Sequence, residues 1–154
     1  MFPDRIESSR IPRRVRGVSL LEVLIAVLVL AIGMLGIAAM QSISLRNSMS
    51  ALERSQATVQ TYAILDSMRA TLDVARNNGY SHTMTANCPV PAAGTTVASR
   101  DINYWITSLR ATLGPTACGG IACAAGVCEI SIRWNDERGS GGATTQFLNT
   151  RSRL

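Results

Sequence analysis

Gly17-Val18-Ser19-Leu20-Leu21-Glu22 is the stretch on which the reading of this chain turns. Ahead of it, Arg5, Arg10, Arg13, Arg14 and Arg16 stand against Asp4 and Glu7, a net +3 over residues 1–17. Behind it an apolar run reaches Met40, with Ser19 and Glu22 as its polar members. Val18 to Met40 is 23 residues. As a helix it would span roughly 35 Å, against about 30 Å for a bilayer core. No comparable arginine cluster follows directly, so the positive-inside rule leaves the leader in the cytoplasm and everything after Gln41 outside it. An ordinary signal peptide has a shorter apolar core, roughly 7–15 residues, which is discarded on cutting.

Glu22 separates a plain anchor from something more. A carboxylate at the centre of a membrane helix costs roughly 2.5–3.5 kcal/mol, and less near an end. It is either a charge that snorkels to the interface or one that needs a cation. An unpaired carboxylate in a low-dielectric setting is costly, and a paired one can set the register between helices.

Arg16-Gly17-Val18-Ser19-Leu20-Leu21-Glu22-Val23-Leu24 resembles the prepilin motif of type IV pilins and type II secretion pseudopilins. The resemblance implies that a prepilin peptidase cuts after Gly17, keeping the apolar run, and that Val18 becomes the N-methylated first residue. Many pilins have phenylalanine where this chain has Val18. Glu22 would be the fifth residue of the mature chain, and the new α-amine of Val18, on this chain or a neighbour, would supply its cation. Residues 16 to 70, through Ser44-Leu45-Arg46-Asn47-Ser48 and Arg54-Ser55-Gln56-Ala57-Thr58, are similar to the type IV pilus modification proteins, the PilV group of minor pilins. The usual proline of major pilins near Ala39 is missing, which fits a minor subunit. The implied partners are the prepilin peptidase, other minor and major pilins, the inner membrane and its assembly platform. The implied location is the bacterial inner membrane, with the later domain periplasmic, then the extracellular pilus.

The expected fold is α+β: a long transmembrane-to-periplasmic helix packed on a small antiparallel sheet. The leader is residues 1–17, the membrane and assembly helix 18–40, its amphipathic continuation 41–78, and a globular domain 79–154. In the continuation, Leu45, Met49, Leu52, Val59 and Ala63 form one apolar stripe, and Ile64, Met68, Leu72 and Ala75 a second. Glu53, Arg54, Asp66, Arg69, Asp73 and Arg76 read as a solvated face with i,i+3 pairs. Asn77-Asn78-Gly79 is the expected stop.

After Gly79, Cys88 to Gly94 reads as a loop by its prolines and glycine. Asp101 to Leu113 reads as a helix capped by Ser99 or Asp101, with Ile102, Trp105, Ile106, Leu109 and Leu113 on one face. Cys128 to Asn135 alternates as a half-buried strand, residues 137–142 form a turn, and Ala143 to Thr150 is the partner strand. At about 75 residues such a domain is near the size where one core is marginal.

Four cysteines, Cys88, Cys118, Cys123 and Cys128, in a chain placed outside the cytoplasm imply disulfides. Three pairings are open, with a short bridge involving Cys123 or Cys128 preferred. Their spacing suits neither structural zinc nor a C-x-x-C redox motif, so no metal or cofactor is expected. His82 sits alone in a polar loop, Trp105 and Trp134 fall on apolar faces, and no nucleophile motif or phosphate loop is present, so no catalysis is expected. The net charge of +5 falls to +2 without the leader, all fifteen basic residues are arginine, and Arg151 and Arg153 make only a short basic tail. Nucleic acid is therefore not an expected partner.

These features point to a minor pilin supporting pilus assembly, adhesion and twitching motility, incorporated near the filament tip or priming it. The alternatives are a minor pseudopilin of type II secretion, a bitopic protein left uncut, and a secreted soluble domain cut at Gly36-Ile37-Ala38.

Overall fold

A computed structural model describes residues 17–137, 139 and 142–154. The leader arginines, and Arg138, Ser140 and Gly141 of the expected turn, lie outside the described residues. Two compact units divide the chain, one ending at Met40 and the other Gln41–Leu154.

In the first unit every described residue is exposed. Its apolar run opens helix α1, Leu20–Ala70, which is long and apolar enough to cross a membrane. A run with no polar face gives the helix nothing to turn toward water and no internal core to fill.

In the second unit α1 buries Glu53, Ala57, Thr61, Ile64, Leu65 and Met68. This corrects the first expected stripe. Leu45, Met49, Leu52 and Val59 are 68, 50, 53 and 63% exposed, and Ala63 is exposed too. The face turned inward carries the small Ala57 and Thr61 followed by the larger Ile64, Leu65 and Met68, and Thr61 spends its hydroxyl on the Ala57 carbonyl at 2.9 Å. Of the second stripe, Ile64, Met68 and Ala75 are buried, whereas Leu72 faces outward. Glu53, expected on the solvated face, is buried as well. Asp66 and Arg69 do pair at 3.0 Å on the surface. Arg76 instead donates to the Leu154 carbonyl, at 3.3 and 3.2 Å, because the last strand brings that oxygen within reach.

The helix was expected to run unbroken to Arg76, but it breaks at Thr71 and resumes as α2, Leu72–Arg76. At the break the Ser67 carbonyl, the i−4 acceptor that Thr71 N–H would need, accepts from Thr71's own hydroxyl at 3.2 Å, and Thr71 N–H turns to Met68 at 3.3 Å. A side-chain hydroxyl entering the ladder in this way is a known origin of helix bends. Tyr80 is fully buried, 2.5 Å from Asp101 Oδ2 and 2.8 Å from Thr71 Oγ1. Burial, reinforced by the bond to Asp101, raises the pKa of its phenol. Asn78 then takes a left-handed φ of 61° and ends the helical segment where expected.

Helix α3, Val97–Leu113, starts four residues earlier than expected. Its cap is Thr96, whose Oγ1 accepts the Ser99 N–H at 3.2 Å. Ile102, Trp105, Ile106, Leu109 and Leu113 all point into the core. Three antiparallel strands follow in the order β1-β2-β3: β1 Cys118–Ala124, β2 Val127–Trp134 and β3 Gln146–Arg153. β2 alternates as expected, burying Cys128, Ile130, Ile132 and Trp134. β3 begins three residues later than expected. β1 was not foreseen, because Gly119-Gly120 weakens any strand pattern. It joins β2 through Ala125-Gly126, whose φ values of 48° and 75° suit a two-residue hairpin turn. At the outer side of β1, His82 and Ile121 exchange backbone bonds of 2.9 and 2.8 Å.

The disulfides are Cys88–Cys118 and Cys123–Cys128, closing 30 and 5 residues of chain. The first ties the irregular loop to β1; the second lies across the β1–β2 hairpin. On the loop-entropy account these separations correspond to about 3.5 and about 2 kcal/mol. Replacing Cys88 and Cys118 by serine should therefore lower the urea midpoint of the full chain in detergent more than replacing Cys123 and Cys128. A Cβ at Gly119 would overlap the Trp105 ring and lie 2.9 Å from Leu109 Cδ1. Gly119→Ala should cost about 1–3 kcal/mol in the same denaturation, followed by near-ultraviolet circular dichroism of the two tryptophans.

Candidate functional site

Gly17, Val18 and Ser19 are exposed and non-helical, and α1 begins at Leu20. The Gly17–Val18 peptide is thus free of the helical ladder, and a peptidase could bind it extended. The Ser19 carbonyl accepts from Glu22 N–H at 3.0 Å and Val23 N–H at 3.2 Å. Ser19 is therefore the residue that caps the helix, and Glu22 is its third helical position. A carboxylate there lies at the positive end of the helix dipole, worth a few tenths to about 1 kcal/mol near a surface. The sequence reading passed over Ser19. The signal was present, since Ser19-x-x-Glu22 has capping-box spacing.

In the uncut chain the nitrogen of Val18 belongs to a peptide bond and carries no charge. The amine expected to meet Glu22 exists only after cutting. Gly17, Val18 and Glu22 thus lie together at one helix start, where the same short segment can serve cutting, methylation and docking.

The remaining singled-out residues fall elsewhere. Cys88, Cys118, Cys123 and Cys128 are all in disulfides, so no thiolate set is available. Among the described residues, no group of three or more His, Cys, Asp or Glu could hold a metal. His82 is half-buried, and desolvation lowers its pKa. Trp105 and Trp134 are core residues. Arg151 pairs with Glu129 at 3.4 Å on the sheet surface.

Asp136 is a buried polar residue that the sequence reading missed. It is 1% exposed and accepts from Ser50 Oγ at 2.6 Å, pinning the segment after β2 to α1. Nothing in Trp134-Asn135-Asp136-Glu137 marks one acidic residue as inward and the next as outward.

Residues 12–38 match the family model of the prokaryotic N-terminal methylation motif. No curated protein and no solved structure matches the chain. The matched segment contains the Gly17–Val18 junction, the Ser19 cap, Glu22 and most of the apolar run. With a helix long and apolar enough to span a bilayer, it fits a membrane-anchored pilin. Over residues 12–38 the chain carries the prokaryotic N-terminal methylation motif, consistent with the type IV pilin superfamily.

Proposed function

We propose that the chain is a minor pilin: a non-catalytic subunit that is cut after Gly17, methylated on Val18 and built into a type IV pilus. One observation carries this reading. A non-helical, exposed cutting junction is followed at once by an apolar helix with a single carboxylate on its first turn. A helix with that design is anchored in lipid while uncut. After cutting, its new amine and Glu22 give it a polar contact to make with a neighbouring helix. Subunits related by rotation and translation then make heterologous contacts that do not close on themselves, which is how a filament extends.

The missing proline near Ala39 and the resemblance to the PilV group favour a minor subunit that primes assembly or sits near the tip. Adhesion and twitching motility would then follow from the pilus. Its partners in this reading are the prepilin peptidase, other pilins and the inner-membrane assembly platform.

The test is the mass and N-terminal sequence of the protein from native membrane and from sheared filaments. A chain beginning at methylated Val18 in both fractions is expected. A start at Ala39, or an uncut chain confined to membrane, would overturn the proposal. Deleting the gene should remove surface pili while leaving enzyme secretion intact; the reverse result would make it a type II secretion pseudopilin. Glu22→Val should still be cut after Gly17 but should fall at least tenfold in the filament fraction. Unchanged incorporation would remove Glu22 from assembly.

A further inference from the structure

The solvent face of the sheet holds a groove of about 390 Å³, within the range of roughly 300–1,000 Å³ typical of small-molecule sites. Strand register places its chemistry. Gly120, Ser131 and Asn149 form one cross-strand row, and Ala122, Glu129 and Arg151 form the next. Gly120 is buried under the segment containing His82 and Met84, where a Cβ would lie 3.2 Å from Met84 Cβ, and that segment makes one wall. Phe147 stands at the other side, 57% exposed, an unusual place for a large aromatic ring.

Apart from Glu129, the polar groups here are neutral and open to solvent: His82 and Ser131 are half-buried, Asn149 is exposed, and their side chains make no bond to another described residue. Desolvation keeps the imidazole below its ordinary pKa, so at pH 7 it offers one donor and one acceptor. The one lining carboxylate, Glu129, is matched by Arg151 at 3.4 Å.

That inventory selects a ligand class. The lining itself holds no cation for an anion: Arg133, opposite Phe147, is turned to the Ala86 carbonyl at 3.0 Å, and a cation finds a carboxylate already matched by Arg151. An acyl chain would leave Ser131 and Asn149 facing hydrocarbon without partners. An extended peptide would gain little, because the strands under the groove already pair their backbones with each other. A sugar ring meets all the terms. Its hydroxyls match neutral donors and acceptors, and its C–H face lies against the negative face of an aromatic ring. We propose that this groove binds a neutral oligosaccharide, with Phe147 as the stacking platform and Ser131, Asn149 and His82 as the hydroxyl-reading groups.

The proposal is independent of the pilin reading, because binding can be measured on the unassembled chain. The full chain in a zwitterionic detergent, which carries no sugar headgroup, would be applied to an array of neutral and anionic oligosaccharides. Bound members would then be titrated while following the Phe147 and His82 ring signals by NMR. Neutral members should bind and shift both rings. Phe147→Ala should weaken binding at least tenfold, and Asn149→Ala about three- to tenfold. Both positions are exposed, so the fold should survive, as checked by circular dichroism. Tyr104→Ala removes another exposed aromatic, on α3, and should leave binding unchanged. Failure of every neutral member at millimolar concentration, binding of anionic members only, or wild-type binding by Phe147→Ala would each overturn the assignment.

Discussion

Trp105 joins the three parts of the second unit, and it can do so only because position 119 has no side chain. Its ring lies against the Gly119 backbone of β1, while its Nε1–H donates to the Gln60 carbonyl of α1 at 3.0 Å. Gln60 also donates from its own amide to Ser108 at 2.8 Å, one turn further along α3. Helix, helix and strand are thus set at one spacing by one indole. Buried aromatic residues contribute most when both their area and their polar atom are accounted for, and this one satisfies both. The core, from Ile64 and Met68 through Leu109 to Ile130 and Ile132, fills in around it.

Ala57, Thr61, Ile64, Leu65 and Met68 form the side of α1 that meets the core, and Leu45, Met49, Leu52 and Val59 lie on the rest of its surface. In a reading as a filament subunit, this gives the amphipathic half an apolar surface of its own for neighbouring chains.

Much of this was legible in the chain. Strand β2 and the buried face of α3 follow from strict period-2 and helical spacing, which burial enforces residue by residue. The methylation-motif segment was legible because its residues are contiguous in sequence, Gly17 to Glu22, although the Ser19 cap among them was passed over. What failed was non-local. A 3.5-residue stripe says that a helix has an apolar side, but not whether that side meets its own core or a partner. β1 was hidden because the glycine that makes it possible is the residue that argues against a strand. The disulfide pairing depends on which cysteines the sheet brings together, which is not written in local pattern.

The bonds that fasten the rest of the second unit to the helical segment are spread along it. Ser50 holds Asp136, Gln60 holds α3 about three turns further on, and Arg76 of α2 holds the Leu154 carbonyl beyond the break. A pull along the helix axis therefore loads these links side by side, in shear, and does not open them one after another as a zipper would. Resistance to such a pull is set by a rate of rupture and not by equilibrium stability. A unit fastened in this way can be modestly stable in solution and still hold its shape under tension.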